Sequence, residues 1–451
     1  MDLVYAMILS IGIKGISAIV EIAIQIIITN SIGVSEYGEY TFFISLIEGV
    51  YFLLFSGSIK LNTFYLSTLS DNLSKFKKKY VLCFVIPVTM VLIIASIIME
   101  NINCILASVI LFVYYFAFDM SSVFLSRGKQ LTALLGEYLF GRIVLLVGMY
   151  AVISLNMVTG STLLVLYSLQ FFTMILWFTL NKGKLSSGTN EVNVPHKKLI
   201  EYQLSDVANS FITYAPTILQ YVIGGAFSAG FTGITSIVKR FINFISGPTA
   251  KIFLPELARL YKSEKKKELE ESYLMIVNIQ MAFIGTIGMA LIGFPNMILE
   301  IFNSELVQYS TIFICVSCSV LIAACIGPVT GMLQMTGNEK ICNRNQWVSI
   351  FIMILVCIIF RQQQLFAIYG LCAQAVVEGG LKYYYVCRWF KKNIIPIRNY
   401  LFLWLPIIIV KSMVEYFNLQ FSVVTMALVI ILFFAFNIMN CIKNKTIKRQ
   451  L

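Results

Sequence analysis

The sequence has little charge for its length. Only 12% of its 451 residues are Asp, Glu, Lys or Arg, whereas about a quarter is usual in a soluble globular domain. Hydrophobic residues make up 59% of the chain. These values exclude a water-soluble enzyme, a disordered chain and a small disulfide scaffold. The apolar residues form long runs, and a membrane helix needs about 20 of them. The composition therefore predicts an all-α polytopic membrane protein.

The sequence also lacks the motifs of several chemistries. It contains no G-x-x-x-x-G-K-[ST] phosphate loop, so we do not expect it to hydrolyse ATP. His196 is the only histidine, and Cys315-x-x-Cys318 has no second pair of ligands with which to bind zinc. Most of the ten cysteines lie in apolar runs, where we expect reduced, small apolar side chains. We therefore expect neither enzymatic activity nor a cofactor.

The basic residues follow the expected topology of membrane spans. Fourteen apolar runs, from Val4–Thr29 to Phe421–Ile438, are candidate transmembrane helices. If the N-terminus lies inside, 25 of the 34 Lys and Arg fall in inner loops and only Arg361 falls in an outer loop. The positive-inside rule predicts this asymmetry. It indicates an even number of spans with both termini in the cytoplasm, and it explains the net charge of +12 better than a nucleic-acid partner would.

The longest polar stretch divides the chain. We expect an N-terminal six-helix lobe over residues 1–185, a cytoplasmic linker over 186–200 and a C-terminal six-helix lobe over 201–392. Residues 393–451 would form two extra helices and a basic cytoplasmic tail. The segment after the second span, FYLSTLSDNLSKFKKK, resembles IFLPELARLYKSEKKK after the eighth. Such an echo six spans apart is typical of parallel repeats in a transporter.

Polar residues follow one face of the first apolar run. Ser10, Lys14, Ser17, Glu21 and Gln25 are three or four residues apart, which places them along one side of a helix. Lys14 lies about 15 Å from the start of that helix, near the middle of the membrane. Because a charge there costs about 2.5–3.5 kcal/mol, it usually faces a bundle interior or a water-filled cavity.

Similar polar faces occur on the second, seventh and eighth spans. The residues are Thr41, Ser45 and Glu48, then Asp206, Asn209, Thr213, Thr217 and Gln220, then Thr232, Thr235, Lys239, Asn243 and Ser246. Lys239 is again near mid-depth, and Arg240 follows it directly. The first and seventh spans, and the second and eighth, thus carry polar faces six spans apart, which suggests equivalent positions around a shared central cavity.

Several ionisable residues have a structural interpretation as well. Glu378 and Lys382 are four residues apart on one helix and should neutralise each other. Glu21 either pairs with Lys14 two turns away or takes part in ion coupling. The candidate interhelical pairs that would hold the bundle together involve Asp119, Glu137 and Arg142, and the lysines expected to snorkel near span ends are Lys60, Lys251 and Lys411.

Four segments carry a family resemblance. The first is GVSEYGEY between the first two spans, and the second is the eighth span with its exit, GITSIVKRFINFISGPTAKIFLPELARLY. The third is GPVTGMLQMTGNEK at the end of the tenth span, and the fourth is YGLCAQAVVEGGLK in the twelfth. Across roughly residues 1–392 the chain resembles polysaccharide-export flippases of the multidrug/oligosaccharidyl-lipid/polysaccharide superfamily, in particular O-antigen flippases of the Wzx type. Cys372-Ala373 departs from the usual Gly-Ala.

This resemblance implies a fold and a function. It implies about 14 transmembrane helices, with two six-helix lobes in an inverted V around a central cavity and two C-terminal helices beyond them. The implied activity is the movement of an undecaprenyl-diphosphate-linked oligosaccharide across the bacterial inner membrane by alternating access. Lys14, Lys239 and Arg240 would bind the diphosphate, and Glu21, Gln25, Glu48, Asp206 and Asn243 would be ion-coupling or polar cavity residues. Membrane lipids and other polysaccharide assembly proteins are the implied partners.

Two other functions stay open from the sequence. A cation-coupled multidrug exporter of the same superfamily would need acidic groups for its cationic substrates, and the deep lysines argue against it. A membrane polysaccharide polymerase should have a long extracytoplasmic loop, and the longest outer stretch here, Pro295–Gln308, is short.

Overall fold

The computed structural model describes residues 3–66, 71–184, 190–191, 196–236, 239, 259–261, 263–335 and 338–391, with some positions between 404 and 435. Nearly all of these residues are helical. The chain divides into two compact units, residues 1–233 and 234–451. Most of the last two predicted spans lies outside the described residues.

Among the residues that the structure describes, the first unit contains nine helices whose ends are defined. They are α1 (Leu3–Leu54), α2 (Ser56–Tyr65), α3 (Ser74–Tyr80), α4 (Ile86–Ile98), α5 (Ile102–Ser126), α6 (Gln130–Leu134), α7 (Gly141–Ser154), α8 (Gly160–Asn181) and α9 (His196–Gly224). Residues 226–236, which include the boundary between the two units, are helical as well. One π-helical turn, Val81–Val85, joins α3 to α4, and another, Leu135–Phe140, joins α6 to α7. Two-residue strands β1 (Asp71–Asn72) and β2 (Asn190–Glu191) pair in parallel.

The second unit is also helical where it is described. Its helices are α10 (Lys266–Gly293), α11 (Pro295–Phe302), α12 (Ser310–Ala324), α13 (Val329–Met335), α14 (Glu339–Ile359) and α15 (Phe366–Phe390). A 3₁₀ turn, Ser304–Tyr309, leads into α12. Helix α15 packs against both α12 and α14.

The lengths and composition of these helices confirm a multi-pass membrane protein. Within the described residues, eight helical stretches are long and apolar enough to cross a membrane. One of them, Gly12–Leu54, covers most of the first and most of the second predicted span. Large apolar side chains point outward, as on α4, where Ile98 is 76% exposed. Such exposure suits lipid, whereas a soluble protein would bury these residues. The total of fourteen spans stays a prediction.

Helix α1 changes direction at a glycine. Gly33 has φ +80° and ψ 170°, a conformation that side chains with a Cβ rarely adopt. Five residues later, a Cβ on Gly38 would lie 1.8 Å from the carbonyl oxygen of Ala226, so only glycine allows the two backbones to approach this closely. Tyr37 and Tyr40 are buried beside it. The backbone therefore requires glycine at both glycine positions of the GVSEYGEY segment.

The compact units and the predicted lobes are different divisions of the chain. Helix α9, which is predicted to open the C-terminal lobe, packs along α1 and α2 and belongs to the first unit. The division by packing thus falls after residue 233, and the linker at 186–200 precedes most of α9. The assignment of lobes by sequence repeat stays a prediction.

Candidate functional site

The polar face of α1 lies toward the interior of the first unit. The Lys14 ammonium is 5.1 Å from the centroid of the Tyr138 ring, a cation–π distance. Ser17 and Gln25 are buried. The amide oxygen of Gln25 accepts no hydrogen bond from the residues that the structure describes. The predicted stripe therefore packs against protein over Lys14–Gln25, while the side chain of Ser10 lies outside the described residues.

Glu21 has a partner on a different helix. Its Oε2 atom lies 3.3 Å from Nη2 of Arg142 on α7, and both side chains are mostly buried. The expected interhelical role of Arg142 is thus confirmed. From the sequence, Lys14 was one candidate partner of Glu21 and ion coupling was the other role, and Arg142 was not connected to Glu21, because a helical period shows which residues share a face but not which helix lies opposite.

The π-helical turn Leu135–Phe140 contributes two polar side chains to the same region. The Ser121 hydroxyl of α5 donates a hydrogen bond of 3.0 Å to Glu137 Oε2. The next residue, Tyr138, presents its ring to Lys14. Because a π turn inserts an extra residue into the helix, it re-aims the side chains around it, and such turns are frequent at functional sites. Glu137 thus links helices, as the sequence predicted, and Tyr138 was missed.

Glu48 is held by a buried tyrosine. The Tyr167 hydroxyl of α8 donates a hydrogen bond of 2.8 Å to Glu48 Oε1. The Tyr167 ring also meets Tyr40 edge-on, with 6.4 Å between centroids. We name the partly buried group of Lys14, Glu21, Glu48, Glu137 and Arg142 the N-unit charge cluster. It combines three carboxylates with two cations inside predicted membrane spans.

A second polar contact joins α9 to the end of α1 and the start of α2. Lys60 Nζ lies 2.6 Å from Asp206 Oδ1. One turn earlier, the Gln203 amide donates to the Phe52 carbonyl oxygen at 2.6 Å and accepts from the Gly57 N–H at 2.7 Å. These two backbone groups flank the break between α1 and α2, where the series of backbone hydrogen bonds within the helix is interrupted. We call this contact the Gln203 bridge.

The bridge changes the interpretation of two residues. Lys60 was expected to snorkel, which stays a prediction, and its ammonium forms an ion pair with Asp206. Asp206 was expected to be an ion-coupling or polar cavity residue, and that role stays a prediction. Gln203 was not predicted at all. The available signal was an amide among the many polar residues in the first turns of α9, which is too common to be specific.

The second unit carries its own charged residues. Lys239 is helical and half-buried, and Glu378 and Lys382 lie on α15. Glu378 and Lys382 form a salt bridge of 2.6 Å, which confirms the predicted i,i+4 pair. The amide of Gln374, one turn earlier, donates to the other Glu378 oxygen. Arg240 and Asn243, which were predicted beside Lys239, lie outside the described residues.

The comparisons with known proteins identify the fold. No protein-family model matches the chain, and no curated protein matches its sequence. Solved structures match it in fold. The lipid II flippase MurJ, in an inward closed conformation, superposes with a TM-score of 0.67 at 14% identity, covering 95% of this chain and 98% of that one. An inward-facing multidrug resistance MATE family transporter of the MOP superfamily gives 0.64 at 12% identity, with 83% and 94% covered.

A further solved structure extends this similarity. The MATE multidrug transporter DinF-BH gives a TM-score of 0.50 at 14% identity, covering 86% of this chain and 94% of that one. The chain shares the fold of these transporter structures. This fold confirms the all-α architecture expected from the sequence, and at these identities the similarity shows the fold alone.

Proposed function

We propose that this MOP-fold protein is a flippase. It moves an undecaprenyl-diphosphate-linked oligosaccharide, an O-antigen or a similar surface polysaccharide repeat unit, from the inner to the outer leaflet of the bacterial inner membrane. Movement occurs by alternating access and is driven by an ion gradient. The observation that carries the proposal is a deep lysine in each unit, Lys14 and Lys239, within a fold that a lipid II flippase shares.

The charge of these residues selects the class of substrate. An ammonium group near mid-membrane is costly unless an anion lies near it. In a medium of low dielectric constant, a phosphate attracts such a group far more strongly than it does in water. We assign Lys14, Lys239 and Arg240 to the diphosphate. The sugar would contact polar side chains such as Gln25 and Asn243, and the polyprenyl tail would stay in lipid.

Ion coupling is assigned to the N-unit charge cluster. Glu21 is the candidate, because protonation of its carboxylate would remove the charge that attracts Arg142 at 3.3 Å. The two helices that carry these residues, α1 and α7, would then be free to separate. Glu48 and Asp206 are the further acidic candidates, and both are held in this structure by a hydrogen bond or an ion pair.

The proposed orientation follows from the basic loops. Both termini lie in the cytoplasm, and the protein crosses the inner membrane several times. The lipid-linked oligosaccharide would enter from the cytoplasmic side, where it is assembled. Membrane lipids surround the protein, and other polysaccharide assembly proteins are its expected neighbours.

Substitution of Lys239 tests the proposal. Surface polysaccharide is measured in a flippase-null strain that produces each variant at matched levels. Lys239→Arg should retain more function than Lys239→Ala, and Lys239→Glu should be worst because it repels the diphosphate. Lys129→Glu is the control, because Lys129 is exposed in the connection between α5 and α6, outside the predicted spans. Full activity of Lys239→Glu would refute the assignment.

The N-unit charge cluster also supports a second candidate function. A cation-coupled multidrug exporter needs buried carboxylates, and this cluster contains three, Glu21, Glu48 and Glu137. Efflux of a cationic dye from cells that produce the protein distinguishes the two functions. An exporter should lower dye accumulation and leave surface polysaccharide unchanged. A flippase should restore the polysaccharide and leave dye accumulation unchanged. A polysaccharide polymerase, which would lengthen the polymer, is the less favoured third candidate.

A further inference from the structure

Two exposed arginines lie at one end of the helical pair formed by α14 and α15. These helices pack along each other on either side of a short connection, residues 360–365. At the end of the pair away from this connection, Arg344 of α14 donates a hydrogen bond to the Tyr385 hydroxyl of α15. Arg388 lies one turn beyond Tyr385 on α15. Both arginines thus lie around the same turn of α15.

Tyrosine hydroxyls, and not carboxylates, hold these two arginines. The Arg344 guanidinium carbon lies 5.7 Å from the centroid of the Tyr385 ring, and Arg388 Nη1 lies 3.4 Å from the Tyr384 hydroxyl oxygen. Neither arginine forms an ion pair with a residue that the structure describes. A neutral hydroxyl fixes a guanidinium without cancelling its charge, and most of its five N–H groups can still donate to an anion. Three partly buried cations of the first unit differ, because they pair with carboxylates: Lys60 with Asp206, Lys77 with Asp119 and Arg142 with Glu21.

The same end of the helical pair has an excess of positive charge. Residues 339–345 and 383–392 contain five Lys or Arg residues and one acidic residue, Glu339. Lys340 and Lys391 are exposed, as both arginines are. An exposed group of like charges attracts ions of the opposite sign from outside the protein. At the end of a membrane helix, the anions within reach are lipid headgroups.

An exposed apolar face continues from Arg344 along α14. Phe351 and Ile358 on this face are 64% and 63% exposed. From Arg344 to Ile358 the face extends about 21 Å, which is longer than the ~15 Å depth of one leaflet of a bilayer. A cation at one end of an apolar face of this length matches a phospholipid, with its headgroup at the cation and its acyl chains along the helix. The large side chains of the face recur every three or four residues, and they are Trp347, Val348, Phe351, Leu355 and Ile358.

We infer that Arg344 and Arg388 bind the headgroup of an anionic phospholipid whose acyl chains lie along the exposed apolar face of α14. Arg344 contacts the phosphate, because it lies on that face, and Arg388 adds a second positive charge to the headgroup region. A zwitterionic lipid is less suited, since its own cation would face the excess positive charge. A lipid fits better than a protein partner, because the apolar face lies within a candidate membrane span, Lys340–Ile359. This site goes beyond the proposed flippase activity and does not depend on it.

The test measures lipid binding by the full-length protein, purified in an uncharged detergent, with native mass spectrometry. The probes are phosphatidylglycerol, which is anionic, phosphatidylcholine, which is zwitterionic, and glycerol 3-phosphate, which lacks acyl chains. Phosphatidylglycerol should bind more tightly than phosphatidylcholine, and glycerol 3-phosphate should not displace it. Arg344→Gln/Arg388→Gln should weaken the binding of phosphatidylglycerol about tenfold or more and leave that of phosphatidylcholine unchanged. Tyr385→Phe keeps both charges and removes the hydroxyl that orients Arg344, so it should weaken the binding of phosphatidylglycerol by a smaller factor.

The start of α10 offers a matched control. The double variant Lys266→Gln/Lys267→Gln also removes two exposed positive charges. It removes them from a segment whose next residues include three carboxylates, Glu268, Glu270 and Glu271. This variant should bind phosphatidylglycerol as the unmodified protein does. It controls for the general effect of net charge on the binding of an anionic lipid.

Four results would overturn the inference. The double arginine variant and the unmodified protein could bind phosphatidylglycerol equally, or the lysine control could weaken binding as much as the arginine variant does. Displacement by glycerol 3-phosphate would show a site for a soluble anion instead. A protein dimer that the arginine variant loses, with lipid binding unchanged, would show that a second copy of the chain covers this surface. Selective loss of phosphatidylglycerol in the arginine variant, with normal binding by the control, supports the site.

Discussion

The Gln203 bridge leads to a prediction about the break between α1 and α2. Replacement of Gln203 by methionine preserves the length of the side chain and removes both hydrogen bonds to the backbone. The Gly57 N–H then loses its acceptor, and the Phe52 carbonyl keeps the Ser56 hydroxyl as a donor. We expect the break to open locally more often, while the helices on either side remain formed.

The magnitude follows from the two hydrogen bonds. Each contributes about 0.5–1.5 kcal/mol net, so the variant should lose about 1–3 kcal/mol of local stability. Since 1.4 kcal/mol is a factor of ten in an equilibrium constant, the Gly57 amide should exchange hydrogen about 5- to 150-fold faster. Peptide-resolved hydrogen exchange on the purified protein measures this rate directly, because the Gly57 N–H is the donor to Gln203 in the bridge.

The control variant is Asp206→Asn, one turn along α9. It removes the charge that pairs with Lys60 and leaves Gln203 in place. Exchange at Gly57 should therefore remain slow in Asp206→Asn and become fast in Gln203→Met. Equal protection of the Gly57 amide in the unmodified protein and in Gln203→Met would refute the reasoning. The Gln203 side chain would then not be the group that protects the Gly57 N–H at the break between α1 and α2.

Three further predictions concern other parts of the chain. Gly38→Ala should reduce the thermal stability of the purified protein by about 1–3 kcal/mol, because the added Cβ would lie 1.8 Å from the Ala226 carbonyl oxygen. Gly12→Ala is the control and should leave the stability unchanged, because the added Cβ would lie in open space. Glu21→Gln should weaken transport and its dependence on the proton gradient at normal expression, and an unchanged dependence would leave Glu21 as a structural partner of Arg142. Reporter fusions should be active outside at Tyr37, Gly160 and Asn303 and inside at Lys78, Lys266 and Lys445, and an outside signal at Lys266 would contradict the topology.

The sequence predicts the helices well, because apolar runs and polar stripes report directly on local structure. The stripe of Lys14, Glu21 and Gln25 was correctly placed on one face of α1, and the Glu378–Lys382 pair was correctly predicted from its spacing. The glycines of GVSEYGEY were recognised as a motif. Their physical reason, a positive φ at Gly33 and a close backbone contact at Gly38, required the structure.

The sequence does not predict contacts between helices. A period of 3.6 residues determines the direction of a side chain relative to its own helix, and it says nothing about which helix lies opposite. The pairing of Glu21 with Arg142, of Glu48 with Tyr167 and of Lys60 with Asp206 therefore came only from the structure. The π turn that carries Tyr138 has no signature in the sequence, since a π turn is a local change in hydrogen bonding.

The deep lysine of the first unit has a feature that bears on the proposed transport. Lys14 belongs to the N-unit charge cluster, which also contains the carboxylates of Glu21, Glu48 and Glu137. A lysine without such a neighbour would make the substrate-free protein less stable by about 2.5–3.5 kcal/mol, and it would bind a diphosphate more tightly by a comparable amount. A flippase that binds too tightly cannot release its substrate in the outer leaflet. The carboxylates therefore offset both the loss of stability and the excess affinity for the diphosphate. Their removal should increase the affinity for the diphosphate and slow the rate of transport.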